Sequence, residues 1–231
     1  MSDQLFAFEQ HFIERRLATL QAKYAALGAF PHEPLVAQLR ADDVTRCCTA
    51  ARVLAEQADP RAILPLAAAY YEYSRDRYGY LVYRRPKVAA LTVAIALWQL
   101  GEWEELANVL SAESGHIRAS TLDALRCLDS AYVLPCLRRA VSHERLTYWV
   151  AQALGQLGDV QAVPVLIPLL QQSQVDTRAV VAEALGRLGD PQAIPALTAM
   201  AQTDDARTWW GQPASDVAAA VIQRIHQPFR H

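Results

Sequence analysis

A short pattern that occurs twice, 31 residues apart, most strongly constrains how this chain can fold. Residues 153–164 read Ala-Leu-Gly-Gln-Leu-Gly-Asp-Val-Gln-Ala-Val-Pro, and residues 184–195 read Ala-Leu-Gly-Arg-Leu-Gly-Asp-Pro-Gln-Ala-Ile-Pro. Degenerate copies begin near residues 53 and 124. A repeat of this length indicates a unit of two short helices. One such unit cannot bury its apolar face alone and becomes stable by stacking on its neighbours.

The end of the pattern contains the signals that separate one helix from the next. Gly158 and Gly189 are predicted to end a helix in the left-handed conformation, which glycine adopts without steric cost. Asp159 and Asp190, the residues that follow, are predicted to cap the next helix. The pattern therefore predicts a helix, a sharp turn and a second helix in each repeat.

Composition agrees with an all-α chain. Of the 231 residues, 52% are hydrophobic and 9 are glycine, a balance that favours helices over turn-rich β structure. We predict one domain over 1–231, beginning with an N-terminal capping helix within 1–30. The apolar stripe of that helix is predicted to include Phe12, Leu20 and Leu27. Six helix pairs are then expected, over 34–57, 60–100, 102–128, 130–157, 159–188 and 190–225, with insertions near 74–85 and 203–213.

The pattern Ala-Leu-Gly-x-Leu-Gly-Asp-x-x-Ala-Ile/Val-Pro resembles HEAT repeats, and in particular the HEAT-like subtype of phycobilisome bilin lyases. The resemblance is strong over 115–202, fair over 34–73, and weak over 86–111 and 203–225. It implies a right-handed α-solenoid in which the second helix of each pair lines the concave face. It also implies that the pattern's arginine, Arg118 or Arg178, braces the adjacent repeat.

Alignment on the repeat glycines then identifies residues expected to point out of the concave face. Five of these are candidate partner-binding residues: Tyr148, Trp149, Gln152, Glu183 and Arg187. Large aromatic side chains at outward positions of a groove are typical interface anchors. The alternative is that Tyr148 and Trp149 fill a gap between neighbouring repeats, because tryptophan is usually largely buried.

The first insertion belongs to a stretch, 70–87, that holds six of the nine tyrosines and five basic residues against two acidic ones. Insertions of this kind are often functional. Tyrosine interleaved with arginine suits recognition of a protein, a flat conjugated ligand or an anionic group. The alternative is a loop packed by its own rings. Its candidate contact residues are Arg75, Arg77, Tyr78, Tyr80, Tyr83, Arg84 and Arg85.

The second insertion contains two adjacent tryptophans, Trp209 and Trp210. Two neighbouring tryptophans in a turn-rich loop rarely both bury well. We expect one to hold the loop against the last helices and the other to be exposed as a candidate contact residue.

The main functional prediction is a non-enzymatic, protein-binding scaffold, with no catalytic residue, metal or cofactor. No dinucleotide-binding, phosphate-loop, zinc-protease or serine-hydrolase motif occurs. HEAT-like deoxyhypusine hydroxylases bind two iron ions through His-Glu pairs in several repeats. Here His143-Glu144 lies outside that register, and the other repeats lack the pair.

Two other functions remain open. The bilin-lyase resemblance implies a lyase or chaperone that handles a linear tetrapyrrole, whose propionates the first insertion's arginines suit. HEAT-like DNA glycosylases cradle duplex DNA on a basic concave face. The formal net charge of −2 and the mixed charges at the predicted concave positions argue against nucleic-acid binding here.

We expect a cytoplasmic protein. The first residues lack the basic start and apolar core of a signal peptide, and no apolar run is long enough to span a membrane. The four cysteines show no metal-binding or disulfide spacing. Adjacent Cys47 and Cys48 are either buried reduced thiols or a redox or covalent-attachment site.

Overall fold

The computed structural model describes residues 2–31, 33–40, 43–73, 87–111, 121 and 123–226. The predicted contact residues of the first insertion, together with Arg118, lie outside these ranges. The chain divides into two compact units, Met1–Leu128 and Asp129–His231, which we call unit 1 and unit 2. The prediction of a single domain over 1–231 stays a prediction beside this division.

Unit 1 begins with the long helix α1, and pairs of shorter helices follow it. Its helices are α1 Ser2–Tyr24, α2 Glu33–Leu39, α3 Val44–Glu56, α4 Ile63–Tyr73, α5 Lys87–Gln99, α6 Glu104–Ser111 and α7 over 123–127. Helix α5 lies at the centre, because it packs on α3, α4 and α6. Its residues 89–97 are all buried, which explains why they read as a nearly continuous apolar run.

Unit 2 contains the two clearest copies of the repeat. Its helices are α8 Ser130–Ala140, α9 Thr147–Leu157, α10 Val163–Leu166, α11 Val175–Leu188, α12 Ile194–Thr203 and α13 Ala214–His226. A 3₁₀ segment, Ile167–Gln171, continues α10. Helix α11 packs between α9 and α13. Gly155 on α9 meets Ala184 on α11, Gly186 on α11 meets Val221 on α13, and Asp176 in the first turn of α11 binds the turn before α13. Corresponding parts of the three helices therefore lie side by side, with their N-terminal ends along one edge of unit 2.

The predicted fold class is confirmed. The six expected pairs correspond to α2–α3, α4–α5, α6–α7, α8–α9, α10–α11 and α12–α13. Within the described ranges no β-strand occurs, and the paired helices are those of an all-α solenoid.

The two glycines of each repeat have different roles. Gly158 and Gly189 end α9 and α11 with φ of 76° and 69°, which confirms the predicted left-handed turns. The earlier glycine lies inside its helix and permits close packing. A methyl group on Gly155 would lie 2.7 Å from the Ala184 Cα atom, and one on Gly186 would lie 2.9 Å from Val221. The repeat therefore needs glycine there because the next helix occupies the space of a side chain.

The capping prediction holds for one of the two aspartates. The Asp190 carboxylate accepts a hydrogen bond from the Gln192 N–H at 2.8 Å. The Asp159 side chain makes no capping bond and instead lies 3.6 Å from the Arg138 guanidinium. An ion pair between neighbouring helix pairs has therefore replaced a local cap, which the pattern alone does not indicate.

Helix α1 is held in unit 1 by two kinds of contact, buried apolar residues such as Ile13 and a buried ionic network. Leu20 is buried as expected, but Phe12 and Leu27 are exposed. The Arg16 guanidinium donates to Glu102 at 2.7 Å and to Glu105 at 3.0 Å, and all three residues are buried. Further hydrogen bonds to the two carboxylates come from Lys23, Tyr24 and Tyr71.

Contacts within the network shift the pKa values of Arg16 and Glu102. Burial alone would lower the pKa of Arg16, but the hydrogen bonds and charges of Glu105 and Glu102 raise it. Burial likewise favours neutral Glu102, yet its hydrogen bonds from Lys23, Tyr24 and Arg16 hold the pKa of this carboxyl below its usual value. Arg16 and Glu102 therefore stay ionised, and α1 is joined to the α5–α6 region by charge-assisted hydrogen bonds.

Candidate functional site

The candidate site is the outward surface of the second helices in unit 2, which we call the second-helix face. It comprises the exposed and half-buried residues of α9, α11 and α13, together with the α12–α13 turn. All five predicted groove residues lie on it. Tyr148, Trp149 and Gln152 are half-buried on α9, Glu183 is half-buried on α11, and Arg187 is exposed.

An aromatic pair lies in the first turn of α9. The rings of Tyr148 and Trp149 are 4.6 Å apart between centroids and meet edge to face, at an interplanar angle of 71°. Such contacts orient the rings without burying both of them. Each ring packs on the other and keeps part of its surface open to solvent, and both the interface-anchor and the gap-filling interpretations stay predictions.

Helix α11 exposes less apolar surface than α9 does at the matching positions of the repeat. Ala179 and Val180, which match Tyr148 and Trp149 in the alignment, are buried. Further along the helix, Glu183 and Arg187 form an ion pair with 3.7 Å between their charged groups. At this degree of exposure the pair contributes little to stability. These two side chains are therefore available for contacts with another molecule.

The second insertion forms an ordered turn between α12 and α13. The Gly211 N–H donates to the Thr208 carbonyl at 2.8 Å, so Trp209 and Trp210 are the two central residues of a four-residue turn. The Thr208 hydroxyl donates to the Gln212 carbonyl at 2.8 Å, and Gly211 takes a φ of 86°. The turn is closed by its own hydrogen bonds, and both tryptophans lie at its tip.

Trp209 is far more exposed than Trp210, and the expectation that one tryptophan holds the loop while the other contacts a partner stays a prediction. Trp209 has 77% of its surface accessible and Trp210 has 37%. Their rings meet edge to face with 5.6 Å between centroids. Thr208 is only 4% accessible. Polar groups of the loop and of α11 contribute to holding the loop in place.

Two side chains of α11 hold the loop in place. The Arg178 guanidinium donates to both carboxylate oxygens of Asp204, at 2.6 and 2.8 Å, and to the carbonyls of Gln172 and Ser173. The hydrogen bonds from Arg178 hold the pKa of Asp204 below its usual value. The Asp176 carboxylate accepts a hydrogen bond from the backbone N–H of Trp209 at 2.8 Å. The expected bracing role of Arg178 is therefore observed.

The remaining candidate features are possible metal ligands and the two adjacent cysteines. No group of three or more His, Cys, Asp or Glu residues in the described ranges is arranged to hold a metal ion. Cys47 is buried and Cys48 is half-buried, and burial raises the pKa of the Cys48 thiol. A raised pKa disfavours the thiolate, which favours the interpretation as reduced thiols over a reactive site.

A cavity of about 520 Å³ lies in unit 1 between α2 and α4. Its apolar walls include Val36 and Leu64. Both arginines at its rim have carboxylate partners: Arg61 binds Asp59 at 2.7 Å, and Arg40 lies 3.8 Å from a glutamate. The lining also includes the carboxylate residue Glu33. No helix within the described ranges has the length and apolar character needed to cross a membrane.

Comparison with known proteins agrees with the helix pairs. The family model for HEAT repeats matches residues 103–179 and 142–209. No curated protein is similar enough to count as a relative.

Among solved structures, an engineered protein is 18% identical, with 84% of this chain and 96% of that one covered and a TM-score of 0.35. A designed armadillo repeat protein in complex with the peptide (KR)4 is 15% identical, with 83% and 98% covered and a TM-score of 0.38. Likenesses at these TM-scores carry no information about what this chain binds. The helix pairs and the matched family model together support a HEAT-like repeat protein.

Proposed function

We propose that this chain is a non-enzymatic scaffold that binds another protein through the second-helix face of unit 2. The observation that carries the proposal is the exposure of aromatic surface on ordered elements along one edge of that unit. One aromatic pair lies in the first turn of α9, and the other lies at the tip of the α12–α13 turn.

The two pairs have the properties of interface anchors. Trp and Tyr contribute most to binding when they are held rigidly and become desolvated by the partner. Here each ring is held by an edge-to-face neighbour, and the turn under Trp209 is closed by backbone hydrogen bonds. Little conformational entropy is then lost on binding, so a large share of the contact energy appears as affinity.

The polar residues of the second-helix face are suited to form the polar rim of an interface around these aromatic anchors. Gln152 is half-buried beside the α9 pair, and the weakly coupled Glu183 and Arg187 lie on the neighbouring helix. Polar side chains at the rim of an interface contribute specificity more than affinity. None of the four cysteines forms a disulfide, which agrees with the cytoplasmic location that the proposal assigns to the scaffold.

The proposal is tested by capturing partners on the immobilised full chain from an extract of the native cells, then measuring the affinity of any purified partner. Replacing both Tyr148 and Trp149 with alanine is expected to weaken that complex by about 2 kcal/mol or more, roughly 30-fold. Phe12→Ala is the matched control, because it removes an exposed aromatic ring from unit 1.

A second variant protects the test against misfolding. Glu183→Arg reverses a charge on the same face at a half-buried position where it removes no core contact. Circular dichroism establishes that each variant is folded. If the double variant and Glu183→Arg both bind the partner as tightly as the unmodified chain, the second-helix face is not the binding surface.

A further inference from the structure

We infer that the α12–α13 turn binds a basic segment of the partner, with an arginine or lysine side chain stacked on the Trp209 indole. This inference rests on the proposed protein-binding function and names the chemistry of the partner at one part of the face. It starts from an indole ring that is 77% accessible on a turn fixed by hydrogen bonds.

The charged side chains around the turn indicate which kind of partner segment would bind there. Asp176 is joined to the turn by a hydrogen bond that its carboxylate accepts from the backbone N–H of Trp209 at 2.8 Å. Asp205 lies 3.4 Å from the hydroxyl of Ser215, and Asp216 follows in the first turn of α13. None of these three carboxylates forms an ion pair with any residue that the structure describes. Asp205 and Asp216 are exposed, and Asp176 is half-buried.

The neighbouring arginines compensate only part of the negative charge of these three carboxylates. The Arg178 guanidinium is taken up by Asp204 in two short hydrogen bonds. The Arg207 guanidinium donates to the Gly211 carbonyl at 2.7 Å, inside the turn itself. Three carboxylates against one remaining guanidinium give the surface around the tryptophans a net negative charge.

An aromatic face beside carboxylates matches a cationic side chain in two ways. The ring quadrupole attracts a guanidinium or ammonium ion placed over its face, and tryptophan does so most strongly. The carboxylates add attraction that extends over about 10 Å at moderate salt. An acidic segment would be repelled, and a neutral apolar segment would bind without dependence on salt. The two effects together therefore favour arginine or lysine.

The first test compares three capped ten-residue peptides that alternate serine with arginine, glutamine or glutamate. Each carries a dye, and binding to the full chain is followed by fluorescence anisotropy. The arginine peptide is expected to bind at least about tenfold more tightly than the glutamine peptide, and the difference should shrink as salt is raised from about 50 to 300 mM. The glutamate peptide is expected to bind most weakly.

The second test assigns the binding to the turn. Trp209→Leu keeps an apolar side chain but removes the ring, and should weaken arginine-peptide binding about fivefold or more. Asp176→Asn keeps an oxygen that can accept the Trp209 N–H while removing the charge. Combined with Asp205→Asn and Asp216→Asn, it should abolish most of the salt dependence. Glu56→Gln, an exposed charge change in unit 1, is the control and should have no effect.

Equal affinity for the arginine and glutamine peptides overturns the inference, as does unchanged binding to the Trp209→Leu and triple-Asn variants when circular dichroism shows them folded. These results are distinct from failure of the proposed function. If the captured partner still requires Tyr148 and Trp149 but the arginine peptide does not bind, the face binds protein and the inferred partner chemistry is wrong. If replacing Tyr148 and Trp149 does not weaken partner binding either, both proposals fail.

Discussion

The two units hold their helices together by different physical means. In unit 2, successive second helices meet through small and apolar residues, as where Gly155 faces Ala184. In unit 1, the terminal helix α1 is attached by Arg16, which is buried between Glu102 and Glu105. A repeat can encode its own packing locally because each copy faces another copy. Helix α1 is not a copy of the repeat, and long-range ion pairs contribute to its attachment.

The largest expected effect comes from removing the charge that holds α1. Arg16→Met leaves two buried carboxylates without their main partner and should destabilise unit 1 by about 3–5 kcal/mol. Arg15→Met, at an exposed position of the same helix, is the control. Chemical denaturation gives the change in the free energy of unfolding, and hydrogen exchange shows which unit it affects. If both variants unfold at the same denaturant concentration, the ionic network does not hold α1.

The next effect tests the packing of unit 2. Gly155→Ala places a methyl group 2.7 Å from the Ala184 backbone, which cannot yield easily, and should cost about 2–3 kcal/mol. Gly186→Ala meets the end of the Val221 side chain and should cost less, about 1–2 kcal/mol. Thermal unfolding of both variants gives the order. The reverse order would mean that backbone contact between repeats is not the limiting feature.

A smaller effect is expected at the clamp on the α12–α13 turn. Asp204→Asn weakens a charged hydrogen-bond pair and should cost about 1–2 kcal/mol. Because Arg178 lowers the pKa of Asp204 in the folded chain, the carboxylate stabilises the turn above its unfolded pKa of about 3.9 and loses this effect as the pH falls through the folded value.

Tryptophan fluorescence recorded during acidification measures this clamp. The unmodified chain should show a transition in the acid range that is weaker or absent in the Asp204→Asn variant. Identical profiles for the two proteins would show that the Arg178–Asp204 pair does not order the turn.

The smallest effect is expected at a turn position that occurs in both units, the left-handed residue after a second helix. Unit 2 uses Gly189 for the left-handed residue at the end of α11, whereas unit 1 has Ala58, with a φ of 51°, after α3. Ala58→Gly should therefore stabilise the chain by about 1 kcal/mol, and Gly189→Ala should destabilise it by a similar amount. Thermal unfolding tests both signs, and destabilisation by Ala58→Gly would contradict the strain argument.

Sequence reasoning succeeded where the structure depends on local signals. The helix pairs, the left-handed glycines and the bracing arginine Arg178 all follow from residue types at fixed spacing. It failed where partners are distant in the chain. Arg16 lies 86 residues before Glu102, and nothing in the local pattern of α1 indicates that a charged residue is buried there.

The candidate site was predictable in part for the same reason. The repeat register predicted outward positions for Tyr148, Trp149, Gln152, Glu183 and Arg187, and the structure leaves these residues exposed or half-buried. Their contact with a partner stays a prediction. The contacts that hold the second insertion were not predicted, because they are hydrogen bonds between α11 and a loop that follows about 30 residues later. The only sequence signal for that anchor is the arginine of the repeat pattern.

The most direct test of the account is hydrogen–deuterium exchange of the full chain with and without a purified partner. The account predicts slower exchange in the first turn of α9 and in the α12–α13 turn, with unit 1 unchanged. Slower exchange confined to the first helices of the pairs, or to unit 1, would contradict the claim that the second-helix face of unit 2 binds the partner.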